Sequence, residues 1–293
     1  MPSVARMYDY YLGGRDNFAA DREAAEKMIE IGRQMGNDAR EIALANRDFI
    51  GQAVRMLAEA GVRQFIDIGA GLPTQDNVHQ VAQRHAPGSR VVYVDNDPIV
   101  LIHARALLAR DPDVLAIEGD LKDPDAILDD PRVAEHLDLS QPYAVLLVAV
   151  LHFIPDNAEA GRIATRIRER LGPGGHLVLS HLLYSGDAMA GVATAGQQVY
   201  SSTTSGGLAR RGYDEIVPFF EGLDLIGPGV VPVADWTPDA SPAARTTSAE
   251  AASWPASAAS RPERLRGCGV QVEQDHPGVR PGVRRRQRVR ILL

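Results

Sequence analysis

Cys268 is the only cysteine in 293 residues, so neither an internal disulfide nor a multi-cysteine metal site can form. The eight histidines are scattered, without the close His/Asp/Glu grouping that a metal centre requires. No apolar run approaches the roughly 18–20 residues that cross a bilayer. The N-terminus lacks the apolar core of a signal peptide, so the expected compartment is the cytoplasm. Basic residues are scarce over most of the chain. The net charge is −7, and residues 240–293 hold ten arginines against four acids, which leaves −13 on residues 1–239. A main domain this acidic argues against a nucleic-acid substrate, whose phosphates need a basic surface. A small neutral or cationic substrate remains compatible with it. The hydrophobic share of 45% and charged share of 24% are ordinary for a globular protein. The length allows one large α/β domain with additions, or two small domains.

What the chain does have begins at Phe65. Phe65-Ile66-Asp67-Ile68 is a short apolar run of the kind buried on both faces of a parallel sheet. It runs into Gly69-Ala70-Gly71, where glycine permits a tight turn and close approach of a ligand. Val78, Val81 and Ala82 then recur at helical spacing within residues 75–85. Strand, glycine turn and helix in that order form the first half of a nucleotide-binding βαβ unit. A second strand, residues 90–95, ends in Asp95, 24 residues after Gly71 and near the offset of a carboxylate that grips a ribose diol. Asp97 before Pro98 is the better helix cap, which leaves Asp95 free at the strand end. Val114 to Glu118 runs into Gly119-Asp120-Leu121, and Tyr143 to Val150 into Leu151-His152-Phe153. The sequence therefore predicts an α/β, Rossmann-like, mostly parallel twisted sheet with helices on both faces. Four strands end in polar or glycine-bearing tips, where such sheets place their ligand.

Asp67-x-Gly69-x-Gly71, Asp95 and Gly119-Asp120-Leu121 resemble the successive motifs of class I S-adenosylmethionine (SAM)-dependent methyltransferases. A closer resemblance is to the actinobacterial SAM methyltransferase family formerly grouped as a domain of unknown function. It is carried by Ala5-Arg6-Met7-Tyr8-Asp9-Tyr10-Tyr11-Leu12-Gly13-Gly14-Arg15-Asp16-Asn17-Phe18, Asn46-Arg47, Gly71-Leu72-Pro73-Thr74 and Tyr93-Val94-Asp95-Asn96-Asp97-Pro98. The likeness covers roughly residues 2 to 239. Pro73 stands where many such enzymes carry a third glycine, which also argues against a dinucleotide. The resemblance implies SAM as cofactor and methyl transfer to a small-molecule acceptor.

It also implies roles. Asp67 would sit near the methionyl ammonium, and the Gly69–Gly71 backbone would pass beneath the cofactor. Asp95 would bond the ribose hydroxyls with Asn96 beside it, while Asp120 and the Leu121 amide would meet the adenine. Arg47, with Asn46, would face the cofactor carboxylate. Residues 1–18, with four aromatic rings among two glycines and three acid or amide groups, would form a lid in which Tyr10, Gly14 and Asn17 reach the cofactor. His152, beyond the fourth strand, is the candidate base, with a packing role the competing reading. His181 and Tyr184 are further prospects. Two other functions fit the same chain: a SAM-binding protein without turnover, and an NAD-dependent oxidoreductase.

The expected organisation is a lid with helices over 1–60, a SAM-binding domain over 61–239 and a tail over 240–293. Amphipathic helices are expected over 19–35 (Ala24, Met28, Ile31) and 39–60 (Ile42, Phe49, Val54, Leu57), with Asp38 as a cap. Further helices are expected over 98–109, from Asn157 to Leu171 and, more weakly, over 208–221. Strands are expected from His176 to His181 and over 223–226. Residues 129–142 read as loop, and residues 185–207, rich in Gly, Ser, Thr and Ala, as a long loop covering the substrate. The arginine-rich tail reads as disordered and foreign to the fold, as an altered reading frame would produce. No closing strand is recognisable in it.

Overall fold

The computed structural model describes residues 1–34, 38–74, 76–108, 111–184, 190–239 and 287–292. Three helices open the chain. α1 (Val4–Tyr11) buries Met7 and Tyr11, and α2 (Ala19–Arg33) buries Ala24, Ala25 and Ile29. α3 (Ala39–Glu59) starts where the sequence predicts, because the Asp38 carboxylate accepts from the Arg40 N–H at 2.9 Å and caps the first turn. Phe49, Ala53, Val54 and Leu57 turn its apolar face to the sheet, whereas Ile42, expected on that face, is exposed, and Ala43 packs instead with α1 and α2.

The sheet contains β1 (Gln64–Ile68), β2 (Arg90–Asp95), β3 (Val114–Glu118), β4 (Ala144–Val148), β5 (His176–Ser180), β6 (Leu223–Leu225) and β7 (Gln287–Leu292). Its order is β3-β2-β1-β4-β5-β7-β6, and every paired neighbour is parallel. α4 (Val78–His85) and α5 (Pro98–Leu108) cross from β1 to β2 and from β2 to β3. α6 (Pro124–Leu128) and α7 (Pro131–His136) precede β4, and α8 (Asn157–Arg170) precedes β5. Strand side chains alternate between two cores. Ile66, Val92, Val94 and Leu147 pack with Ile163 and Ile167 of α8, while Phe65, Val91 and Leu146 pack with α3 and α4. Order reverses between β1 and β4, so the strand tips flanking that point are where an open sheet holds its ligand.

Four expectations need correction. Residues 129–142 contain α7, started by Pro131 in its first turn and by the Asp130 carboxylate accepting from Arg132 N–H at 2.8 Å. Within 185–207 lies a helix, α9 (Ala190–Ser201), packed on α2; residues 185–189 lie outside the described residues. The expected helix over 208–221 shrinks to α10 (Tyr213–Ile216) and a 3₁₀ turn, Val217–Phe220, because Pro218 denies the ladder a donor. A closing strand does exist: β7 sits between β5 and β6, with Leu179 opposite Ile291 and Asp224 opposite Arg288. The rest of the expected tail, residues 240–286 and 293, lies outside the described residues.

Candidate functional site

At the end of β1 the chain turns over the neighbouring strand. Gly69 N–H and Ala70 N–H both donate to the Val94 carbonyl, at 2.8 and 3.2 Å. Gly69 has φ +77°, and a Cβ there would collide with Val150 from the tip of β4, so no other residue fits. Gly71, at φ +66°, donates its N–H to Asp95 Oδ2 at 2.9 Å, while Asp97 N–H donates to Asp95 Oδ1 at 2.9 Å. A single carboxylate at the tip of β2 thus ties the glycine turn to the start of α5. A Cβ on Gly71 would meet nothing within 4 Å, so this turn faces open space.

Beneath the turn is a recess whose wall includes Arg47, Asp67, Gly71, Asn77, Tyr93 and Asp95. Asp67 is buried, and its carboxylate accepts no hydrogen bond among the described residues. Burial therefore pushes it up to about 7; the Arg47 guanidinium pulls the other way and Asp95 adds a smaller upward push. Burial also raises Asp95, against the lowering effect of the Asp97 and Gly71 amides. On the far wall the Tyr93 hydroxyl accepts from His79 N–H at 2.9 Å and meets its Nδ1 at 2.8 Å.

α1 is fastened beside this recess. Arg6 pairs with Asp21 at 2.8 Å, both buried, and the Ser3 hydroxyl donates to Asp97 Oδ2 at 2.8 Å. Burial pushes the Asp21 carboxyl up, but Arg6 and the Ser3 and Phe18 N–H groups outweigh it and hold it below its ordinary value. From the other side of α1, Tyr8 accepts from Asn46 Nδ2 at 2.9 Å; Asn46 Oδ1 accepts from Ser180 Oγ at 2.6 Å. Ser180 Oγ in turn accepts from Ala149 N–H at 2.9 Å, where Ala149 holds φ +53° at the tip of β4. One polar chain therefore joins α1 to the tips of β4 and β5.

Residues 1–261 match the S-adenosyl methyltransferase family. The chain belongs to that family. A crystal structure of a candidate methyltransferase from Thermobifida fusca YX is 39% identical, with a TM-score of 0.74 over 85% of this chain and 91% of the other. A DUF574 family protein from Streptomyces avermitilis MA-4680 is likewise 39% identical, with a TM-score of 0.73 over 85% and 94%. No curated protein matches. The protein is thus a SAM-dependent methyltransferase, with SAM as its cofactor. No described helix is long and apolar enough to cross a membrane.

Against this identity, the methyltransferase treats the sequence-predicted site residues unequally. Asp67, Gly71, Asp95 and Arg47 come together in the recess, and Gly69 holds the turn above it. Asn96 is exposed on the adjoining turn. Asp120 lies outside the recess wall, on an exposed turn where it accepts from Lys122 N–H at 2.9 Å; the Leu121 side chain enters the core. Three of the expected lid residues meet protein groups in this structure. The Tyr10 hydroxyl donates to Glu26 at 2.5 Å, with Arg40 over its ring, so it faces α2 and α3. Asn17 donates to Asp9 at 2.7 Å and to the Gly14 carbonyl at 3.0 Å, and a Cβ on Gly14 would collide with the Asp9 carboxylate. Asn17 and Gly14 therefore close the turn after α1.

His152 is buried in the 3₁₀ turn Leu151–Phe153 after β4, and burial, reinforced by His181 and Arg211, holds its pKa well below the ordinary value. His181 is pushed down to about 3, chiefly by burial. Its Nδ1 meets the Leu182 carbonyl at 2.7 Å and its Nε2 meets Arg211 at 3.0 Å. Sequence reasoning missed Arg211, whose guanidinium is wholly buried and also donates to Leu151, Ile154 and Asp156 carbonyls and to Asn157. An arginine in a short loop carries no local signal of burial. Ser180 was missed as well, since a serine ending an apolar strand looks like an ordinary strand terminus.

Proposed function

We propose that the strand tips around Asp67 and Asp95 hold SAM, and that the methyl acceptor is a small molecule admitted beneath α1. In this reading residues 1–60 are the lid and its supports, 61–239 the cofactor-binding domain, and 240–293 an addition to it. The observation that carries it is Asp67, a buried carboxylate that accepts no hydrogen bond among the described residues, at the wall of a recess bounded by Asp95. A buried charge in that state calls for a cationic donor, and the cofactor's ammonium is one.

Asp95 gives each carboxylate oxygen to one amide, which leaves each able to accept a ribose hydroxyl. Asn96 stands beside that position. Asp120 and the Leu121 amide, one strand over, would take the adenine amine and a ring nitrogen. When bound, the cofactor supplies an electrophilic methyl group on a sulfonium. The protein supplies alignment and dryness, and alignment is worth up to about 7–11 kcal/mol in well-oriented systems. The acidic charge of residues 1–239 and the aromatic rings of α1 support a small acceptor over a nucleic acid.

Two titrations and one transfer assay test the proposal. S-adenosylhomocysteine should bind one site per chain and NAD should not bind. Labelled methyl groups should enter the low-molecular-weight fraction of a cell extract. Label confined to protein or nucleic acid would reject the small acceptor.

A further inference from the structure

Ser3 stands at the N-cap of α1, where a serine hydroxyl ordinarily accepts from its own first turn. Here it makes no such bond and donates instead to Asp97 Oδ2 at 2.8 Å, 94 residues along the chain. Ser3 is 1% exposed, so water does not compete for that bond. One turn on, Arg6 lies between two carboxylates. Its Nε donates to Asp21 Oδ2 at 2.8 Å, and its Nη1 stands 3.8 Å from Asp97 Oδ2. The Ser3 N–H closes the group by donating to Asp21 Oδ1 at 2.8 Å. A helix end that only had to form and pack would keep its local cap. The first turn of α1 is built around the β2–α5 turn instead.

That turn is the one that orients Asp95. Asp97 Oδ1 accepts from Ile99 N–H at 2.9 Å and starts α5, while Asp97 N–H donates to Asp95 Oδ1 at 2.9 Å. Asp97 is therefore held by α5 through one oxygen and by α1 through the other, and its own amide fixes Asp95. Without α1, Asp97 Oδ2 loses both the Ser3 hydroxyl and the nearby Arg6 guanidinium, and the turn gains freedom that a ligand would have to remove. The charges run the same way. Burial raises the Asp95 carboxyl, and the Asp97 charge adds to the rise against the pull of the Asp97 and Gly71 amides. Arg6, when docked, offsets part of the Asp97 charge and so favours the ionised Asp95 that can accept two hydroxyls.

We propose that Ser3 and Arg6, acting through Asp97, are positioning residues for Asp95, so that docking of α1 and the grip on the cofactor's ribose strengthen each other. This coupling rests on Asp95 being the ribose carboxylate, and adds what governs that grip. Coupling between two sites is reciprocal: a ligand that engages Asp95 through its hydroxyls holds α1 more tightly, and a loosened α1 weakens that ligand by the same factor. A ligand without those hydroxyls has no differential contact with Asp95 and transmits nothing.

The test uses the full chain with S-adenosylhomocysteine and its 2′,3′-dideoxy analogue, followed by calorimetry and amide exchange. In the wild type, saturating S-adenosylhomocysteine should slow exchange over residues 4–11 by about fivefold or more, the lower end of typical coupling, and the dideoxy analogue should not. Ser3→Ala keeps the Arg6–Asp21 pair and the Tyr8–Asn46 bond, so α1 still folds onto its neighbours. The variant should bind S-adenosylhomocysteine about fivefold more weakly than wild type and the dideoxy analogue equally well. Equal weakening of both ligands, or unchanged affinity for both, overturns the coupling. So does equal slowing of exchange by both ligands in the wild type, which needs no variant to fold. The two readings fail differently. If S-adenosylhomocysteine does not bind, or binds no better than its dideoxy analogue, the ribose role of Asp95 is wrong and the coupling falls with it. If it binds in preference to the analogue yet leaves exchange over residues 4–11 unchanged, the coupling alone is wrong.

Discussion

Asp67 is where the charge chemistry of the recess concentrates. With its pKa raised to about 7 from 3.8, the folded ligand-free protein binds more protons than the unfolded chain between those values. Stability from this group therefore falls as pH rises from about 4 to about 7 and stays low above that. Asp67→Asn should be more stable than wild type at pH 8, with the gap closing toward pH 4; thermal melts across that range check it. A cationic ligand pulls the other way, because it favours the ionised carboxylate. Affinity for S-adenosylhomocysteine should rise with pH up to about 7 and then level off. In Asp67→Asn the affinity should be lower and its rise shallower, the remainder coming from Asp95, which burial also raises. A flat wild-type profile would contradict this. Gly69→Ala faces both a φ of +77° and the Val150 side chain, so it should cost about 2 kcal/mol or more in urea unfolding. That Asp67 and Asp95 line one recess was legible in the sequence, because both lie at the tips of strands that run into turns. The partners that settle their charge were not, since Arg47 reaches Asp67 only through the packing of α3 on the sheet.

Two of the ties that hold α1 predict separable effects. The buried Arg6–Asp21 pair ties it to α2, and the Tyr8–Asn46–Ser180 chain ties it to the sheet. Arg6→Ala removes the cation paired with the buried Asp21 carboxylate, which keeps only the Ser3 and Phe18 amides, and should destabilise by about 3 kcal/mol, with faster amide exchange over residues 4–11. Ser180→Ala removes one of the two acceptors of Ala149 N–H, leaving the Ser180 carbonyl at 3.3 Å, and the link to Asn46, and should cost about 1 kcal/mol. Unchanged exchange in Arg6→Ala would mean that the pair does not hold the helix. Which elements could be foreseen follows from where their stability originates. α2 and α3 declare themselves through apolar spacing and a capping aspartate. α9 does not: Ala190–Ser201 has little apolar periodicity, and it is placed by Tyr200 in the α1–α2 cluster and by Gly196 against Met28. α7 did announce itself, through Asp130-Pro131, but a proline between charged residues reads equally well as a turn.

Across the whole molecule the parallel strands β1 to β4 were readable, because four apolar runs each end in a polar or glycine-bearing tip; their order, β3-β2-β1-β4, is seen only in the assembled sheet. β7 was not, since Gln287–Leu292 alternates polar and apolar residues inside an arginine-rich segment whose composition hides it. It supplies the only described link between β5 and β6. A chain ending at Arg286 would leave the Val178–Ser180 edge unpaired, and lower stability with concentration-dependent aggregation is expected by light scattering. The proposed site turns on one arrangement: neighbouring strand tips would converge on a single nucleoside, with α1 fastened next to them. The most direct test is a crystal structure with S-adenosylhomocysteine bound. The arrangement predicts both ribose hydroxyls on the Asp95 carboxylate and the ammonium within reach of Asp67. A ligand seated in another hollow, with Asp95 still committed to the Gly71 and Asp97 amides alone, would contradict it.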